Sequence, residues 1–146
     1  MEFGVLLLRQ GNYSESIKML ERYLKTAPKD EQLARRYLAD AHFLLAQQQI
    51  EQGRKEDALA HLENAKGTHE QEPSELKLSI DSVRKALAEE YYQKGMKAYR
   101  TNLAEAIGDW ERSLQYDPAH PQAGVRLQRA RQMQHNLKAI ESSEQQ

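Results

Sequence analysis

The chain has no cysteine, so no disulfide can staple it and no thiolate can act as nucleophile or metal ligand. That absence suits a reducing or an oxidising compartment equally and leaves localisation open. Proline (4) and glycine (7) are scarce and fall mainly at the edges of periodic segments. No apolar run approaches the roughly 20 residues needed to span a membrane. Val5 to Leu8 is too short for the apolar region of a signal peptide. A net charge of −1 leaves no strong field of one sign, which argues against a general nucleic-acid or anionic-membrane binder. The motifs of nucleotide, acyl-transfer and calcium chemistry are missing too: no glycine-rich phosphate loop, no G-x-S-x-G and no calcium loop. No cofactor is implied.

What is present is helix-forming. Ala, Leu, Gln, Glu, Lys and Arg dominate, and apolar residues recur every three or four positions. The length of 146 residues suits one domain with a substantial core. Met1 to Gln10 reads as a helix that begins abruptly, turned by Gly11-Asn12. Ser14 to Lys25 is a second helix, ended by Ala27-Pro28. Asp30 reads as the N-cap of a long helix to about Gln52, with Leu33, Tyr37, Ala41, Leu44 and Leu45 on one side, and Gly53 breaks it. Lys55 to Lys66 follows, with Gly67 to Pro73 as a loop. Ser74 is expected to cap an unbroken helix to about Arg100, with the stripe Leu76, Ile80, Val83, Leu87, Tyr91, Gly95 and Ala98. Asn102 and Glu105 form a capping-box-like start to the next helix. Beyond Pro118 and Pro121 a last helix is expected over about Gln122 to Ile140, leaving 141–146 as a polar, frayed tail.

Within Ala88 to Pro118 small and large residues alternate as two close-packed helices require. Tyr91-x-x-Lys94-Gly95-x-x-Ala98 is followed by Ala106-x-x-x-Trp110 and then Pro118. This spacing resembles the tetratricopeptide repeat, whose signature is W-x-x-L-G-x-x-Y, A-x-x-x-F, P. Phe3-Gly4-x-x-Leu7 with Ser16-x-x-x-Leu20 and Pro28 fits the same register. So does a degenerate copy, in which His42, Ala46 and Gln49 replace Trp, Gly and Tyr ahead of Ala58-x-x-x-Leu62. The first repeat is cut short, as in a longer natural chain or a fragment with an added Met.

The resemblance implies an all-α fold: a short right-handed superhelix of antiparallel helix pairs forming a single domain over 1–140. Its repeats would span about 1–28, 31–67 and 74–118, with a capping helix at 121–140. It implies a non-enzymatic scaffold that binds a protein or peptide in a concave groove within a larger assembly. Phe43, Gln47, Ile50, Glu89, Tyr92, Met96, Tyr99 and Arg100 would line that groove, unless Tyr92 and Tyr99 merely fill space between repeats. The family's grip on terminal carboxylates of chaperone tails is not expected, because Leu44, Glu89 and Gln93 hold the corresponding places. An alternative is a homodimer through extra helical turns that would leave Leu76, Leu78 and Ile80 uncovered.

A weaker alternative uses the last helix, which carries Arg126, Arg129, Arg131 and Lys138 and no acid from Pro118 to Ile140. That basic patch would suit an acidic partner or nucleic acid, the bland reading being a lid over the last repeat. The five histidines, His42, His61, His69, His120 and His135, show no ligand spacing, and no metal site is expected. Trp110 reads as core.

Overall fold

The computed structural model describes residues 1–68 and 74–145. Seven helices and no strand appear among them. They are α1 (Glu2–Arg9), α2 (Tyr13–Leu24), α3 (Glu31–Glu51), α4 (Lys55–Thr68), α5 (Ser74–Ala98), α6 (Leu103–Tyr116) and α7 (Ala123–Glu144). The all-α expectation holds. The contacts divide the chain into two compact units, Met1–Val83 and Arg84–Gln146, where the sequence reads as one domain.

Three helix boundaries differ from expectation. α4 continues through Gly67 and Thr68, where a loop is expected; the rest of that expected loop, 69–73, lies outside the described residues. Ser74 is the first residue of α5 rather than the residue before it. α7 carries on to Glu144, so most of the polar tail is its last turns.

The terminators of α1 and α3 are alike. Gly11 (φ 79) and Gly53 (φ 75) take the left-handed backbone. Behind each, an N–H reaches back five residues: Asn12 to Leu7 O at 2.9 Å and Arg54 to Gln49 O at 2.8 Å. Glycine carries no Cβ penalty there. α5 ends without a glycine, and Asn102 closes the turn by accepting a bond from Glu105 N at 3.1 Å, as its cap position requires. Asp30 does occupy the N-cap position of α3, but its carboxylate makes no cap bond. It accepts instead from the Tyr23 hydroxyl at 2.6 Å, which ties α2 to the start of α3 and raises the Tyr23 pKa.

The first unit packs α1 on α2, α2 on α3, and α3 on α4. Gly4 is buried against Leu20: a Cβ on Gly4 would lie 2.9 Å from Leu20 Cγ. The Ser16 hydroxyl donates to Gly4 O at 2.7 Å. One pair further on, Ala46 and Leu62 are both fully buried. The buried residues of α3 are Ala34, Leu38, Ala39, Ala41, His42, Leu45, Ala46 and Gln49. Leu33, expected among them, is 42% exposed, because the buried row starts one residue later.

The stripe expected on α5 is buried from Leu76 to Gly95, with Ala98 half-buried. This overturns most of the proposed dimer surface. Leu76 and Ile80 are covered, because the first turns of α5 belong to the same compact unit as α1 to α4; only Leu78 is open, at 69%.

In the second unit α5 and α6 run antiparallel. Ser113 Oγ donates to Ala88 O at 2.7 Å and Trp110 Nε1 to Tyr92 O at 3.2 Å. Trp110 lies over Gly95, where a Cβ would come 2.4 Å from its Nε1. α7 packs on α6 through Ala123, Leu127 and Ala130.

Candidate binding surface

The residues expected to line a groove fall into both units. On α3, in the first, Phe43 and Ile50 are half-buried and Gln47 is exposed. Their intervals of four and three put them on one side of the helix. Ile50 also borders an open cleft with Glu75, Leu78, Ser79, Ser82 and Val83.

In the second unit, Tyr92 is not a surface residue. It is 6% exposed and belongs to the core formed by Ala106, Ile107, Trp110, Ala123, Leu127 and Ala130. Its ring lies 4.8 Å from that of His120. A helix-pair template omits α7, and α7 completes this core. For Tyr92 the space-filling alternative is therefore the better account.

Met96 and Tyr99 pack against the same cluster but remain half-buried, and Arg100 is exposed. The Tyr99 ring leans on Trp110 at 6.4 Å, and the Arg100 guanidinium lies over it at 5.8 Å. A hydrogen bond from Arg100 and the charge of Arg126 on α7 hold the Tyr99 hydroxyl below the usual tyrosine range.

Glu89 is engaged. Gln93 Nε2 donates to its Oε1 at 2.9 Å, and His120 Nε2 lies 2.8 Å from its Oε2. Gln93 first, then His120, pull the Glu89 carboxyl below its usual range. His120 Nδ1 accepts from Ala123 N at 3.1 Å, so Nε2 carries the proton and donates to Glu89. His120 thereby caps α7 in place of Gln122, whose side chain makes no cap bond. Its loop position hid this role: Pro118 and Pro121 flank it, and its partners sit on α5 and α7.

The basic patch divides. Arg126 and Arg129 are about one turn apart on one flank of α7, while Arg131 and Lys138 are about two turns apart on another. Arg131 is already paired with Glu111 of α6 at 2.8 Å.

His42 and His61 meet between α3 and α4, with Nδ1 atoms 2.9 Å apart. Burial first, then the neighbouring His61, lowers the His42 pKa to about 4. Burial lowers His61 as well, against the pull of Asp57. At neutral pH the contact is an N–H···N bond between uncharged rings. The signal was the alignment of His42 with the repeat's buried tryptophan position; the partner, from another helix, left none. Among the described residues no three His, Cys, Asp or Glu side chains gather as a metal set. No helix there is long and apolar enough to cross a membrane.

Residues 3–30 and 40–69 match a family model described as tetratricopeptide repeat. Those segments cover most of α1 to α4; the α5–α6 pair lies outside them. No curated protein matches the chain.

Proposed function

We propose that this chain, two segments of which match the tetratricopeptide repeat family, whose repeats mediate protein–protein contact, is a non-catalytic scaffold docking a protein or peptide segment. The observation that carries the reading is the apolar and aromatic surface left half-open beside Trp110. Met96 and Tyr99 are held in place by the core yet not enclosed by it, and Arg100 edges them with charge. Rigid, partly buried aromatics and arginines are over-represented where partners bind tightly, and methionine adapts to varied shapes. Phe43, Gln47 and Ile50 on α3 offer a second strip of the same kind in the first unit.

Panning random dodecapeptides against the immobilised protein tests this. The expected result is an enriched peptide family with affinity in the micromolar range, weakened about tenfold by Met96→Ala at unchanged helicity. Failure to enrich any peptide sinks the reading.

A further inference from the structure

One face of α7 is apolar, basic and open. Within the helix, Arg126, Arg129, Met133, Leu137 and Ile140 recur at intervals of three and four. Leu127 and Ala130, beside this row, are buried against the second unit's core, whereas Met133, Leu137 and Ile140 are 49%, 48% and 55% exposed. Tyr99 and Arg100 follow directly on the end of α5, and Tyr99 packs against the cluster that holds Leu127 and Ala130 of α7. Neither Arg100 nor Arg126 has a carboxylate partner among the described residues, whereas Arg131, on the other flank, already has Glu111. Nothing acidic stands in α7 before Glu141, and in the second unit Lys and Arg outnumber Asp and Glu.

We propose that this face of α7 docks an acidic amphipathic segment of a partner protein, its carboxylates over Arg100, Arg126 and Arg129 and its apolar edge on Met133 and Leu137. The proposal rests on the reading of the chain as a protein-binding module and names the chemistry of the partner. Guanidinium forks bind carboxylates through paired, charge-assisted hydrogen bonds. The apolar row supplies what charge alone does not, a short-range contact that fixes register. An anionic membrane is the poorer fit, because Glu144 follows one turn after Ile140 in the same row and would be repelled. Nucleic acid is poorer still, since affinity there needs many phosphate contacts and this row offers two arginines, with Arg100 as a third.

The probe is an acetylated, amidated helical peptide with Leu along one edge and Glu on its flank, compared with its Gln counterpart. By fluorescence anisotropy the Glu peptide is expected to bind at least about tenfold more tightly. The paired substitutions Arg126→Gln and Arg129→Gln should erase that preference, and Met133→Ser with Leu137→Ser should weaken both peptides. All four side chains have exposed or half-open surface, so circular dichroism should stay unchanged. Equal binding of the two peptides, or a preference surviving the arginine substitutions, overturns the proposal. So does binding to phosphatidylserine vesicles without binding to the Glu peptide, or a dimer that hides Met133 from oxidation. Peptides recovered by panning that ignore α7 would leave the general reading intact while this one fails.

Discussion

The α3–α4 and α5–α6 pairs solve one packing problem with different chemistry. At the α5–α6 crossing a glycine makes room for the largest side chain in the protein, and every polar atom placed there is used. Trp110 Nε1 and Ser113 Oγ each donate to an α5 carbonyl. In the α3–α4 pair a buried alanine, Ala46, and a buried leucine, Leu62, hold the corresponding places, and the neighbouring polar groups are buried His42, bonded to half-buried His61, and a buried glutamine whose Oε1 has no hydrogen-bond partner. The repeat register therefore fixes where two helices touch and how closely. It does not fix whether the contact is sealed by shape or left dependent on protonation. A glycine–tryptophan crossing should be intolerant of volume and indifferent to mild acid, and a histidine-bearing crossing the reverse.

The volume half of that contrast predicts the largest effect. Gly95→Ala forces a Cβ to within 2.4 Å of Trp110 Nε1, and the indole has nowhere to go while it is bonded to Tyr92 O. The expected loss is about 3 kcal/mol, at the upper end for overpacking. Gly4→Ala should cost less, because the obstructing atom is Leu20 Cγ, whose side chain can shift by a few tenths of an ångström. Adding Trp110→Leu to Gly95→Ala should return part of the loss, as a coupled pair must. Thermal melts of the four variants check this. Additive losses for Gly95→Ala and Trp110→Leu would mean that the two residues do not share a contact.

That register was legible in the sequence because it depends on spacing along single helices. Gly4, Ala46 and Gly95, with Leu20, Leu62 and Trp110, can be aligned from periodicity alone, and all are buried. The α5–α6 turn has a local cause of its own, since Asn102, in extended backbone, caps α6, whereas α1 and α3 each end at a left-handed glycine. What spacing could not supply was the choice among competing partners. Asp30 stands where a cap should, yet Tyr23 claims its carboxylate. Tyr92 lies off the α5–α6 stripe and so resembles a surface residue until α7 covers it. The groove residues of the two units were united only by analogy with the family. Arg131 looked like a member of a patch until Glu111, on another helix, was placed beside it.

The protonation half predicts an intermediate effect with a definite sign. His42 titrates near pH 4 in the folded chain and near the ordinary 6.5 when unfolded. The neutral pair's contribution is therefore complete above about pH 6.5 and is lost as pH falls toward 4. The loss should be on the order of 2 kcal/mol, discounted from the full shift because His61 keeps some contact with solvent. Melting of the parent protein and of a His42→Leu, His61→Leu double variant at pH 7.5, 5.5 and 4 isolates it, since carboxylate titration is common to both. The parent should fall further than the variant. Parallel curves would show that the histidines are solvated or already charged in the fold.

The smallest effect sharpens the comparison by its sign. Gln49 is 6% exposed on the face of α3 that carries Leu45 and Ala46, and it stands where the repeat's tyrosine would be. Its Oε1 is buried without a donor, a condition that costs about 1–3 kcal/mol relative to a satisfied amide. Methionine has nearly the same length, is unbranched and adaptable in shape, and asks for no hydrogen bond. Gln49→Met should therefore stabilise the protein by about 1 kcal/mol, raising the melting temperature by about 3 °C. Ser113→Ala at the other crossing should do the opposite, losing about 1 kcal/mol, because its hydroxyl is bonded to Ala88 O at 2.7 Å. Gln49→Glu provides the control, since an unpaired carboxylate at that depth must destabilise far more than the amide does. Opposite signs for Gln49→Met and Ser113→Ala would show that the two crossings differ in satisfaction of polar groups and not only in volume. A loss of stability in Gln49→Met would mean that the amide holds something the α3–α4 pair needs, and the contrast would then collapse to size alone.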